Sequence, residues 1–381
     1  MTETKESTTK QHQSIKIIHT ESSCGWGGQE IRILTEAKGM IERGHEVSIL
    51  CPSHAPIFAE AKERGIPVYP IPIAKKTIKG LLATINYLKK TPVDVINTHS
   101  STDSWMISLA RIFCHRKFSI VRTRHVSAPI NNHFTTKWLY TKAAAHIVTT
   151  GIKLKETLVN DNGYPAHMIT SIPTGIDTNI FKPGNKAEAR KELNLPQDKI
   201  IIGILATLRS WKGHKYLVDA IAQLNREDLH LLIVGDGPQK ENLEKQISEI
   251  GIKEKTTMPG NQKNPYRWLQ AMDIFTLPSY ANEGVPQGLM QAMLTKLPVI
   301  STPVGSITEI IEHEKNGLII TPEDSNALAK AISSMLDSSD ITTDLAEEGY
   351  EFGIKNFSKE LMILKMEKIF IESHDKIASS H

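Results

Sequence analysis

Short apolar runs separated by amphipathic stretches recur along almost the whole chain. Ser14–Thr20 (SIKIIHT), Glu46–Cys51 (EVSILC), Asp94–His99 (DVINTH), Phe118–His125 (FSIVRTRH), His146–Thr150 (HIVTT) and Met168–Ile172 have the length and β-branched content of strands. Val68–Ile73 is a weaker strand, broken by Pro70 and Pro72. Glu21–Gly28 (ESSCGWGG) is a glycine-rich loop; Gln29–Arg43 then sets Ile31, Leu34, Ala37, Met40 and Ile41 at helical spacing, and Gly44 ends that helix. Ile172–Pro183 (IPTGIDTNIFKP) has two prolines, a glycine and no helical period, and reads as a linker. A second series follows, with strands at Lys199–Ala206, Leu229–Val234, Thr256–Pro259, Asp273–Leu277, Pro298–Thr302 and Gly317–Thr321. After Pro322 the pattern is helical over Ser325–Leu336, Ile341–Phe352 and Ser358–Ile371. Apolar strands alternating with helices predict parallel sheets covered on both faces. The expected architecture is α/β, with two Rossmann-like doubly wound domains. The expected boundaries are a disordered tail over 1–14, a first domain over 15–175, a second over 176–354, and a last helix in 355–381 that crosses back to the first domain.

The most informative stretch is Pro278–Ile300 (PSYANEGVPQGLMQAMLTKLPVI). Pro278 stops a strand, a polar loop follows, and Pro286 suits the first position of a helix. A loop from a strand's carboxyl end into a helix N-terminus is where open α/β sheets bind ligands, and the free N–H groups there favour phosphate. Glu283 beside such an anion cradle repels phosphate unless it faces something else, such as sugar hydroxyls. Gln291 can donate and accept, which suits a ribose or a sugar. Together they hint at a nucleotide-sugar; the alternative is a helix-capping Glu283 and a solvated Gln291.

Composition narrows the choices. The 381 residues fit one very large domain or two ordinary ones. No apolar run approaches the roughly 20 residues that span a bilayer, and the polar first 14 residues do not read as a secretory signal. Cys24, Cys51 and Cys114, scattered and odd in number, point to a reducing, cytoplasmic setting rather than a disulfide frame or a zinc site. Residues 1–177 hold 22 Lys/Arg against 14 Asp/Glu, the remainder 23 against 28. The basic half suggests attraction to anions such as lipid headgroups or a phosphorylated acceptor, against a background of ordinary surface scatter.

Thr207–His214 (TLRSWKGH) puts Arg209 and Lys212 on a strand-to-helix loop, where they could neutralise a diphosphate. Gly235-Asp236-Gly237-Pro238 is a turn through which backbone could approach a ligand. Gly25, Gly27 and Gly28 do not complete a dinucleotide fingerprint, and the chain has no phosphate-binding G-x-x-x-x-G-K-[ST] loop, so a dehydrogenase and a P-loop NTPase are disfavoured. His99 and His125 close strands of the first half; His125, between cations, could bond substrate hydroxyls or be structural. With no H-x-x-x-H and no Asp-x-Asp, no obligatory metal and no cofactor is expected.

With these pieces assembled, the chain resembles the retaining nucleotide-sugar glycosyltransferases of the GT-B fold, in family 4. The resemblance covers nearly everything after the tail, through GWGGQE (25–30), VINTHS (95–100), IPTGID (172–177), WKG (211–213), VGDGP (234–238), DIFTLPS (273–279) and EGVPQGLMQAM (283–293). It implies two Rossmann-like domains facing a central cleft, the donor on the C-terminal one and the acceptor on the N-terminal one. It implies that Lys212 binds donor phosphates and that Glu283, first of the family's E-x7-E element, bonds the donor sugar. Gln291 stands where a second glutamate usually holds the ribose. The family's usual arginine falls on Thr207, for which Arg209 substitutes by inference. Pro286 replaces a glycine, leaving the N–H groups of Val285, Gln287 and Gly288 for phosphate. Gly27 and Gly28 match the glycine loop near the diphosphate, and His125 a histidine at the donor sugar. Gly237 belongs to the donor-side turn.

The expected activity is retaining transfer of a hexose or heptose from a UDP-, GDP- or ADP-sugar to a saccharide or lipid-linked saccharide, in lipopolysaccharide or surface-polysaccharide assembly. Nucleic acid is not an expected partner. A UDP-sugar epimerase, a phosphorylase on a similar scaffold, or a non-catalytic sugar-nucleotide-binding partner protein are the alternatives. Ala74–Lys90 (AKKTIKGLLATINYLKK) adds an apolar stripe of Ile78, Leu81, Leu82, Ile85 and Leu88 flanked by Lys75, Lys76, Lys79, Lys89 and Lys90. It either docks peripherally on the inner face of an anionic membrane or packs on the sheet.

Overall fold

The computed structural model describes residues 13–125, 130–281 and 283–378. All but the last two residues of the expected tail therefore lie outside the described residues. The first sheet comprises β1 (Lys16–Thr20), β2 (Glu46–Cys51), β3 (Val68–Pro70), β4 (Val95–Thr98), β5 (Ser119–Arg124), β6 (His146–Thr149) and β7 (Ile169–Ser171). Its order is β3-β2-β1-β4-β5-β6-β7, and the pairings from β3 through β5 are parallel. The second sheet comprises β8 (Ile200–Leu205), β9 (Leu229–Val234), β10 (Thr256–Gly260), β11 (Ile274–Leu277), β12 (Val299–Ser301) and β13 (Leu318–Ile319). Its order is β10-β9-β8-β11-β12-β13, parallel throughout. Both are Rossmann-like sheets. In each, the order reverses beside the first strand, between β1 and β4 and between β8 and β11. A crevice opens at such a reversal, outside the strands' carboxyl ends.

Contacts group 1–123, 138–147 and 366–381 into one unit, and 124–137 and 148–365 into another. In the second unit the strands β8, β9 and β11 supply fully buried Ile201, Ile202, Ile204, Leu231, Leu232, Ile233 and Phe275, the apolar content that parallel strands need on both faces. Ile176, in the expected linker, is buried and bridges Ser358, so this stretch is pinned to its own unit. The final helix, Lys359–Ala378, starts there with Lys359 Nζ 2.6 Å from Asp177 Oδ2. Its later part packs in the first unit, where Glu367 takes Arg43 Nη2 at 2.6 Å and His45 Nε2 at 2.9 Å.

Three expectations need correction. Pro286 is the N-cap, with φ −74° and ψ 120°, and the helix proper is Gln287–Leu294; extended ψ at proline delays the first turn by one residue. Gly28 already belongs to its helix, which runs Gly28–Glu42. The helix expected to end at Phe352 continues to Phe357 because Gly353 is a packing position, not a stop. A Cβ on Gly353 would lie 3.2 Å from Leu294 Cδ2, and one on Gly349 would meet the Asn316 carbonyl at 3.2 Å, so the two glycines let this helix settle closely on its neighbours. The stripe at 74–90 divides on the helix Ile78–Lys90: Leu81, Ile85 and Leu88 pack on the core, while Ile78 and Leu82 stay 78% and 60% exposed.

Candidate active site

The two loops flanking the β8/β11 reversal bring the principal candidates together. Lys212 ends a 3₁₀ turn over Ser210–Lys212 in the loop after β8, and Glu283 sits in the loop after β11. Lys212 Nζ donates to Glu283 Oε1 at 2.6 Å, and Ser279 Oγ donates to the same oxygen at 2.6 Å. The Glu283 side chain is 3% exposed and that of Lys212 17%. An ion pair this enclosed needs both partners, because either one alone leaves an uncompensated charge.

Backbone packing holds the loops in register. Tyr280 N–H donates to the Trp211 carbonyl at 2.9 Å. Gly213 has φ +76°, and a Cβ there would lie 1.9 Å from the Pro278 carbonyl oxygen. Gly305 has φ +63°, and its Cβ would lie 2.0 Å from the Glu283 carbonyl oxygen. Only glycine fits either place. Thr302 Oγ1 donates to the Ser279 carbonyl and Ser301 Oγ to the Leu277 carbonyl, at 2.5 and 2.7 Å, so the end of β12 secures the same loop.

The helix Gln287–Leu294 buries Leu289, Met290, Ala292, Met293 and Leu294; Gln287, Gly288 and Gln291 form its half-buried stripe. Gly288 lies against the end of β8, its Cβ position 2.5 Å from the Leu205 carbonyl oxygen. Pro286 has no side chain able to cap this helix, whose first N–H groups must find partners outside the helix. Val285 lies beside Gly151, its Cγ2 3.2 Å from that residue's Cβ position. The Gly235–Pro238 turn is stitched to the loop after β8: Leu208 N–H donates to the Asp236 carbonyl, and Gln239 N–H to the Leu208 carbonyl, each at 3.0 Å. Gly237 thereby joins the group. The His125 carbonyl oxygen lies 3.6 Å from the Cβ position of Gly284, so His125 borders the Glu283 loop. Arg209 is exposed, with its guanidinium 5.7 Å from the Trp211 ring centre rather than on Glu283.

Gly27 and Gly28 belong to the other unit. There Gly27, in extended backbone, caps the helix Gly28–Glu42. Glu21, fully buried, crosses the β1/β4 reversal: it accepts from Ser23 N–H at 2.6 Å, from Ser100 Oγ and from Gln29 Nε2. His99, which follows β4, is buried, with Nε2 3.1 Å from His19 Nδ1. Burial, with the Arg32 charge, pushes the His19 imidazole down to about 3, and burial pushes the Glu36 carboxyl up to about 7.

Sequence reasoning passed over Ser279, Glu21 and His214. His214 opens the helix His214–Leu224 two residues after Lys212 and is buried. Burial, and then the Lys212 charge, push it down to about 3, so it is a neutral imidazole. Among the described residues no three His, Cys, Asp or Glu side chains gather as a metal cluster, and no helix is long and apolar enough to cross a membrane.

Residues 26–180 match the domain described as Glycosyltransferase Family 4, and 185–352 that described as Glycosyl transferases group 1. A lipopolysaccharide core biosynthesis mannosyltransferase of Rhizobium meliloti (strain 1021) is 30% identical over 201 residues, 50% of this chain and 57% of the relative. The match thus spans little more than half of that protein. A UDP-Gal:α-D-GlcNAc-diphosphoundecaprenol α-1,3-galactosyltransferase of Escherichia coli is 23% identical over 350 residues, 86% of this chain and 89% of its own. Anabaena HepE, solved with UDP and glucose, shares the fold at a TM-score of 0.82 and 19% identity, covering 94% of this chain and 100% of its own. With a family 4 domain followed by a group 1 domain on two Rossmann-like sheets, the chain belongs to the glycosyltransferases.

Proposed function

We propose that this chain moves a hexosyl or heptosyl group, with retention, from a nucleotide-diphosphate sugar to a saccharide or lipid-linked saccharide in lipopolysaccharide or surface-polysaccharide assembly. The observation that carries this reading is the Lys212–Glu283 pair at the β8/β11 reversal, beside the start of the Gln287–Leu294 helix. A donor diphosphate competes with Glu283 for the Lys212 ammonium. Once the lysine turns to phosphate, the Glu283 carboxylate is released to accept hydrogen bonds from donor-sugar hydroxyls. The N–H groups of Val285, Gln287 and Gly288 and the positive end of the helix receive further phosphate oxygens. Gln291 bonds the ribose, Gly237 lets backbone approach the nucleotide, and His125 borders the sugar. Arg209, leaving an exposed cation–π contact of low energy, adds a second cation.

As the anomeric C–O bond breaks, negative charge grows on the departing diphosphate, where Lys212 and the helix lower its cost. The acceptor oxygen forms the new bond on the same face, and its proton passes to the departing phosphate oxygen. UDP is the favoured carrier, since both the E. coli relative and the Anabaena structure are named with it. The assembly role is supported by the Rhizobium relative's name. The reading implies a cytoplasmic setting, where nucleotide sugars are made.

The test is calorimetric. Glu283→Gln is expected to weaken UDP-sugar binding roughly tenfold while binding of UDP alone changes far less, the pattern of one lost charged hydrogen bond to the sugar. Equal losses for both ligands would remove Glu283 from the sugar.

A further inference from the structure

The first unit carries an aromatic and cationic platform that the donor chemistry does not use. Trp105 lies in the second turn of the helix Ser101–Cys114, which follows β4. Trp138 stacks on it, ring centres 6.1 Å apart and planes 25° from parallel. Lys76 Nζ stands 5.5 Å from the Trp105 ring centre. Lys76 precedes the helix Ile78–Lys90, whose start follows β3, so both groups sit at the carboxyl edge of the sheet. Gly80, one turn on, meets Met106 Cε at 3.1 Å from its Cβ position, which holds the two helix starts side by side. Lys75 and Lys79 flank Lys76 and are exposed, as are Ile78 and Leu82.

The sequence that carries the platform is one-signed: no Asp or Glu occurs between Glu63 and Asp94, and over 104–147 the same unit adds only the cations Arg111, Arg116, Lys117, Arg122 and Lys142. Asp103, at the interval's edge, is buried and spent on capping its own helix. Half-buried indoles suit the C–H face of a sugar ring. Exposed ammonium groups suit phosphate, and the weak cation–π contact leaves Lys76 easily transferred to an anion. Two exposed aliphatic side chains on the same helix start suit a lipid tail.

We propose that Trp105, Trp138, Lys76 and Lys79 form the acceptor platform and that the acceptor is a lipid-carried glycosyl diphosphate, its sugar on the indoles, its diphosphate on the lysines and its first lipid units on Ile78 and Leu82. The proposal rests on the transferase reading above and specifies its acceptor. A titration of the full chain tests it with short-chain prenyl-diphosphate N-acetylglucosamine, N-acetylglucosamine 1-phosphate and vesicles containing phosphatidylglycerol, with UDP binding measured in parallel. The prenyl compound should bind saturably and more tightly than the sugar phosphate. Trp105→Ala and the double variant Lys76→Gln/Lys79→Gln should each weaken it roughly tenfold with UDP binding unchanged. The lysines are exposed, so the double variant remains informative if the tryptophan variant fails to fold. Equal affinity for the prenyl and lipid-free compounds would overturn the lipid contact. Unchanged affinity in the double variant, with vesicle binding lost, would make the patch a membrane anchor and overturn the platform. Failure of the wild type to bind UDP would strike the donor reading and leave the platform's own result standing.

Discussion

Lys212→Ala is expected to lower kcat for sugar transfer by about 100- to 1,000-fold, the range seen when one preorganised donor to a developing oxyanion is removed. The ammonium is held 2.6 Å from Glu283 in an enclosed loop, and it exchanges that carboxylate for a phosphate entering at the same reversal. Its loss has a second consequence. Glu283, almost wholly buried, keeps the Ser279 hydroxyl but becomes an uncompensated carboxylate. The variant should therefore also lose thermal stability, and donor binding should restore less of it than in the wild type. Single-turnover rates at saturating donor separate the two effects. Rates within a factor of two of the wild type in a folded Lys212→Ala protein would take the lysine out of the leaving-group role.

Gly213→Ala is expected to be among the most damaging single-methyl additions in the second unit. The residue needs φ +76°, and the added carbon would stand 1.9 Å from the Pro278 carbonyl oxygen, which is backbone and cannot swing aside. Left-handed backbone at a non-glycine residue costs about 1–3 kcal/mol, and the collision adds to that. Gly251→Ala is the control: it has φ +81° but nothing within 4 Å of the new carbon, so it bears the conformational cost alone. Denaturant unfolding should show the Gly213 variant losing clearly more stability than the Gly251 variant, with activity lost in proportion, since Lys212 is the preceding residue. Similar losses in the two variants would show that the loops after β8 and β11 do not interlock at this point.

Much of the scaffold was legible because it is local. Leu229–Val234 has six consecutive residues of strand type, all buried, and the expected strand matches β9. The Gln287–Leu294 helix was visible in Leu289, Met290, Met293 and Leu294. Boundaries failed where one residue type has two uses. Glycine ends many helices, but Gly353 lies inside one, at a position where an added Cβ would stand 3.2 Å from Leu294 Cδ2. The stripe at 74–90 showed its amphipathic period but not which members faced the core; only the packing of Leu81, Ile85 and Leu88 separates them from Ile78 and Leu82. Lys212 and Glu283 each stood out locally. Their contact did not, since it joins residues 71 apart through a sheet reversal. Ser279, Glu21 and His214 left no local signal either: each matters through what lies across a loop from it.

The most direct measurement of the central claim is a crystal of the protein soaked with UDP-glucose. The account predicts diphosphate oxygens within hydrogen-bond distance of Lys212 Nζ and the N–H groups at the start of the Gln287–Leu294 helix, with Glu283 turned from the lysine to the glucose hydroxyls. A bound donor whose phosphates lie elsewhere, with Lys212 and Glu283 still paired, would contradict it.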